Sequence, residues 1–133
     1  MLNKKKLRSI LENINSIALI GASSNSERDS YKVMKFLIER GYKVFPVNPN
    51  EEGEYILGRK CYKNISDIDD EVDMVDVFRK KEFVYEVTKE AIKINAKVLW
   101  TQLDIFCEDS LNLAQDAGLA VIMNKCPKIE LED

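Results

Sequence analysis

Short apolar runs alternate along this chain with stretches in which apolar residues recur every three or four positions. Ser16 to Ile20 is a continuous apolar run ending at Gly21, as expected of a strand buried on both faces. The following GASSNSERDS is dense in helix-capping residues. Val33, Met34, Leu37 and Ile38 then recur at helical spacing until Gly41 supplies a C-terminal cap. Tyr42 to Val47 predicts a second strand, ended by Asn48-Pro49 because proline cannot donate to a sheet ladder. Asn50 to Asp70 is polar and turn-rich, with a short edge strand expected around Lys60 to Lys63. Val72 to Phe78, Lys97 to Thr101 and Leu119 to Met123 read as further strands. They are separated by helices carrying Val84, Val87, Ala91 and Ile94, then Leu111, Ala114 and Ala117, with stops at Asn95 and Gly118.

This alternation predicts one Rossmann-like three-layer α/β domain over residues 1–133, with a mainly parallel sheet of order 3-2-1-4-5-6. Leu7, Ile10, Leu11 and Ile14 mark an amphipathic N-terminal helix within residues 1–14, packed on that domain or available for a homodimer. In such sheets ligands bind beyond the carboxyl ends of the strands where the order reverses, here between Gly21 and Phe78.

Composition narrows the chemistry. Apolar residues at 45% and charged residues at 32% suit a folded globular chain. The net charge of -3 argues against nucleic acid, with Lys4-Lys5-Lys6 belonging to the N-terminal helix. No stretch approaches the roughly 18 apolar residues of a membrane span. The N-terminus has no signal-peptide pattern, so a cytoplasmic location is expected. Cys61, Cys107 and Cys126 fit neither a disulfide framework nor a zinc site. There is no histidine, which removes the usual general base and excludes Ser-His-Asp and Cys-His mechanisms.

Gly21, Ala22 and Ser23 precede the first crossover helix, where backbone N–H groups and the helix dipole favour an anion such as a pyrophosphate. The GxGxxG fingerprint is missing. Dinucleotide enzymes of this architecture carry an acid at the end of the second strand for the ribose diol, whereas this chain has Asn48-Pro49. A neutral tip with Arg28 and Lys32 nearby suits a nucleotide whose ribose bears an extra phosphate, such as coenzyme A or NADP.

GASSNSERDSYKV, GYKVFPVNP, LGRKCY, VDMVDVFR, AKVLWTQ and AGLAVIMNKCPKIE occur in that order between residues 16 and 130. In these motifs the chain resembles the small CoA-binding proteins related to the CoA-binding domain of the succinyl-CoA synthetase α subunit. The resemblance implies that Gly21, Ala22 and Ser23 wrap the pyrophosphate with Arg28 adding charge. It implies that Val47, Asn48 and Pro49 border the adenine and ribose, that Phe78 and Arg79 form the opposite wall, and that Trp100 and Gln102 lie along the pantetheine path. Ser26, Asp104 and Leu131 depart from the family pattern, where Pro, Gly and His are frequent. The synthetase's catalytic histidine belongs to a second domain, so the resemblance implies binding rather than ligase activity.

Other residues have plainer readings. Asp76, in an apolar strand, is expected to anchor neighbouring loop N–H groups rather than act as a base. Trp100 is either core or ligand platform. Cys126 could form a mixed disulfide with a thiol ligand or be an inert small hydrophobe. Glu51-Glu52 and the cluster Asp67, Asp69, Asp70 and Glu71 read as solvated loop charge. The expectation is thus non-catalytic binding of coenzyme A or acyl-CoA, with an unidentified protein partner possible. The alternatives are an NADP- or NAD-binding redox sensor or oxidoreductase, and an interaction domain with a vestigial cleft.

Overall fold

The apolar runs become parallel strands and the periodic segments become the helices that cover them. The computed structural model describes residues 3–132. In chain order the elements are α1 (Lys4–Glu12), β1 (Ser16–Ile20), α2 (Asp29–Glu39) and β2 (Lys43–Val47). A 3-10 turn (Pro49–Glu51) and a hairpin of β3 (Tyr55–Ile56) and β4 (Arg59–Lys60) follow. The remainder comprises β5 (Met74–Val77), α3 (Lys81–Lys93), β6 (Val98–Thr101), α4 (Glu108–Asp116), β7 (Ala120–Ile122) and α5 (Pro127–Leu131).

The main sheet has five parallel strands in the order β2-β1-β5-β6-β7, so the order reverses between β1 and β5. One face carries Ile17, Leu19, Met74 and Trp100 against α1, α2 and α5. The other carries Ala18, Val75 and Leu99 against α3 and α4. Burial on both faces is why these strands read as continuous apolar runs instead of alternating ones. Asn95, at φ 63, and Gly118, at φ 92, close α3 and α4 in the left-handed conformation expected of helix C-caps. Helix α1 buries Leu7 and Leu11 in its own domain's core, so its apolar stripe is internal packing rather than a dimer face. Among the described residues no helix is long and apolar enough to cross a membrane.

The expected order 3-2-1-4-5-6 needs correction. The segment around Lys60 to Lys63 does not join the sheet as an outer strand. It touches β2 through one parallel bridge, Val47 to Tyr62, while β3 and β4 pair with each other. The cause is Pro46. Lys43 donates its N–H toward β1, and Asn48 donates outward to the Tyr62 carbonyl. Alternation therefore puts position 46 on the outer edge, where proline has no N–H to give. Helix α5, whose Leu131 is fully buried, spans little more than one turn, too short for a periodic apolar pattern to mark it.

Candidate nucleotide-binding cleft

At the switch point the loop after β1, the turn after β2 and the loop after β5 enclose a cleft of about 780 Å³, within the roughly 300 to 1,000 Å³ of small-molecule sites. Gly21, Ala22, Ser23, Arg28, Asn48, Pro49, Phe78 and Arg79 line it, as do Glu27, Asp29, Ser30, Asn50 and Glu51. The two walls are joined by their own backbone. Phe78 donates its N–H to Ile20 O at 2.8 Å, and Gly21 donates to Val47 O at 2.9 Å. Asn48 adds a second tie between the loop after β1 and the turn after β2, its Nδ2 donating to Ala22 O at 2.7 Å, while its Oδ1 accepts from Asn50 N at 2.9 Å within its own turn.

These bonds determine which amides remain available to an anion. Gly21 and Ala22 both donate to the Val47 carbonyl, at 2.9 and 3.3 Å. Asn25 N donates to Ser23 Oγ, Glu27 N to Asn25 Oδ1, and Ser24 N to both oxygens of Glu51. Helix α2 has no side-chain cap. Ser23, Asp29 and Ser30 line the cleft, and their N–H groups have no protein acceptor among the described residues. The loop thus presents Ser23 and the first turn of α2, where the dipole adds to the N–H groups. Countercharge comes from Arg28, at the N-cap of α2, and from Arg79, whose guanidinium lies 4.1 Å from the centre of the Phe83 ring. That stacking holds the Arg79 fork at the rim.

Below the cleft, Asp76 is completely buried on the face shared with Leu19 and Trp100. Burial alone pushes its carboxyl well above the usual carboxylate range. With its amide nitrogen turned toward the carboxyl, Gln102 donates to Asp76 at 2.8 and 3.2 Å.

The sequence matches the CoA binding domain family over residues 15–132. The chain belongs to this family. The uncharacterized protein YneT of Bacillus subtilis is 32% identical over 127 residues, covering 96% of this chain and 93% of that protein. The α subunit of the ADP-forming acetate–CoA ligase I of Pyrococcus furiosus is 41% identical over 93 residues, covering 67% of this chain but 20% of the subunit. A solved structure of a hypothetical protein from Pyrococcus horikoshii superimposes with a TM-score of 0.91 at 43% identity, covering 97% of this chain and 89% of that one. The chain thus spans about a fifth of the length of that ligase subunit.

In this CoA-binding domain several residues named from sequence lie outside the cleft. Lys32 is exposed one helical turn beyond Arg28. Val47 contributes its carbonyl to the loop while its side chain packs in the core. Trp100 is fully buried, its indole N–H donating to Lys125 O at 2.9 Å, so it packs in the core and is no platform. Gln102 is buried against Asp76, which replaces the expected anchoring of loop N–H groups by that carboxylate. Cys126 is buried at the N-cap of α5 and does not line the cleft. Asp104 adopts φ 68, a conformation glycine holds without strain, which gives the family's frequent Gly there a backbone reason. Sequence reading missed Glu51, taken as solvated loop charge, which instead accepts from Ser24 N in the cleft.

Proposed function

We propose that this chain is a binding module that holds coenzyme A or an acyl-CoA in the switch-point cleft and performs no covalent chemistry of its own. In this reading Ser23 and the first amides of α2 take the diphosphate, and Arg28 and Arg79 neutralise the phosphates. The observation that carries it is the convergence of three unpaired amides with two arginines in one cleft of a CoA-binding family member. Charge-assisted bonds from such groups to phosphate are the strong class of hydrogen bond.

The NADP or NAD reading finds less support. The Asn48 side chain, at the position where a dinucleotide enzyme offers a ribose acceptor, already uses its oxygen on Asn50 N and its nitrogen on Ala22 O. Calorimetric titration with CoA, dephospho-CoA, NADP and NAD at fixed salt tests the assignment. CoA should bind most tightly, with dephospho-CoA weaker by the lost phosphate contact. Tighter binding of NAD than of CoA would reverse the assignment.

A further inference from the structure

We infer that Glu51 is a specificity-determining residue of the cleft, a resident anion that a phosphate reaching from Ser23 to the neighbouring Ser24 amide must displace. The inference rests on the diphosphate position proposed above. Both carboxylate oxygens of Glu51 lie within hydrogen-bond reach of Ser24 N, at 3.2 and 3.3 Å. Glu51 lines the same cleft as Ser23, Arg28 and Arg79, and it is carried on the 3-10 turn that Asn48 caps. Its carboxylate therefore does at that loop what an incoming phosphate oxygen does. It accepts from a backbone N–H and places negative charge near the N-terminus of α2.

The consequence is selection by charge. Glu27 and Asp29 also line the cleft, so together with Glu51 its three carboxylates outnumber the two guanidinium groups of Arg28 and Arg79. A ligand with one negative charge merely exchanges one anion for another at Ser24. A diphosphate supplies further charge for Arg28 and Arg79 while Glu51 swings out to solvent, so its exchange remains favourable. Glu51 thus weakens binding of all anions and excludes the weakly charged ones.

The test is calorimetric titration of inorganic pyrophosphate and of CoA into the wild type, Glu51→Gln, Glu51→Ala and Glu52→Gln. Glu52 is exposed and lies outside the cleft lining, so its substitution matches the change in net charge without touching Ser24. Both Glu51 variants should bind pyrophosphate about tenfold more tightly than the wild type, the loss of a competing charge-assisted contact. Glu52→Gln should stay within about twofold. If pyrophosphate tightens in this way while CoA binds to none of the proteins, the CoA assignment fails and the role of Glu51 stands. Unchanged or weaker pyrophosphate binding in both Glu51 variants, or an equal gain in Glu52→Gln, overturns the inference.

Discussion

A β carbon added to Gly21 would lie 2.6 Å from the Phe78 carbonyl oxygen, closer than real β carbons come to such an atom. Gly21 also adopts φ +89, in the region L residues avoid. Glycine is therefore required here by the neighbouring strand end as well as by any ligand. The contact presses the loops after β1 and β5 together at the point where the strand order reverses, and so fixes the width of the cleft floor.

Gly21→Ala should destabilise the fold by at least about 2 kcal/mol, from left-handed strain plus a clash with backbone that cannot rotate away. Gly118→Ala is the control, since a β carbon there meets nothing within 4 Å at φ +92. It should lose only the dihedral part, about 1 kcal/mol. Urea denaturation of both reads the difference, and equal midpoints would show that the Phe78 contact contributes nothing.

Asn48 makes two bonds with two different atoms, one across to the loop after β1 and one within its own turn, and two substitutions separate them. Asn48→Asp keeps an acceptor for Asn50 N but loses the donor to Ala22 O and sets a carboxylate against that carbonyl. Asn48→Ala loses both bonds and should reduce stability by about 1 to 2 kcal/mol. CoA affinity should fall further in Asn48→Asp than in Asn48→Ala, because charge repels phosphate while a truncated side chain only loosens the loop. Calorimetry on the two variants gives that ranking, and the reverse order would remove Asn48 from the cleft's electrostatics.

What the sequence revealed and what it concealed divide along one physical line. Local signals were legible: the apolar run Ser16 to Ile20 and the left-handed cap at Asn95. Hidden features depend on a partner distant in sequence. Nothing near Gly21 and Ala22 shows that their N–H groups belong to Val47, nor does anything near Glu51 show that it reaches Ser24. Pro46 is an exception, legible in the sequence itself. Its missing N–H lies on the outer edge of β2 and leaves the expected edge strand a single bridge.

Trp100 provides a test of core against ligand wall. It is fully buried, and its indole N–H bonds Lys125 O. Trp100→Ala should reduce stability by about 3 to 5 kcal/mol through the cavity it leaves. Trp100→Phe should lose less, about 1 to 2 kcal/mol, chiefly from the unsatisfied carbonyl. At temperatures where Trp100→Phe remains folded, its CoA affinity should equal that of the wild type. A selective loss of affinity with unchanged stability would place the ring on the ligand instead.

Asp76 makes the fold's stability depend on pH in a direction opposite to most carboxylates. Desolvation raises its folded pKa well above 3.8, the value of an unburied carboxyl. The favourable contribution of the neutral acid is therefore complete below that value and is lost as pH rises through the folded pKa. Asp73 runs the other way. Burial pushes its carboxyl up, but the N–H groups of Asn15 and Ser16 and the Lys97 ammonium outweigh it and hold the pKa low. Its contribution is present above the unfolded value and is lost as pH falls through the folded one. Asp76→Asn keeps the shape and can still bond Gln102 while removing the titration. Relative to the wild type, this variant should gain stability as pH rises from about 4 toward 8, by at most about 1.4 kcal/mol per pH unit, with a plateau once the folded group has ionised. Urea denaturation of both proteins across that range measures the gap, and a gap independent of pH would mean that Asp76 does not titrate as a buried acid.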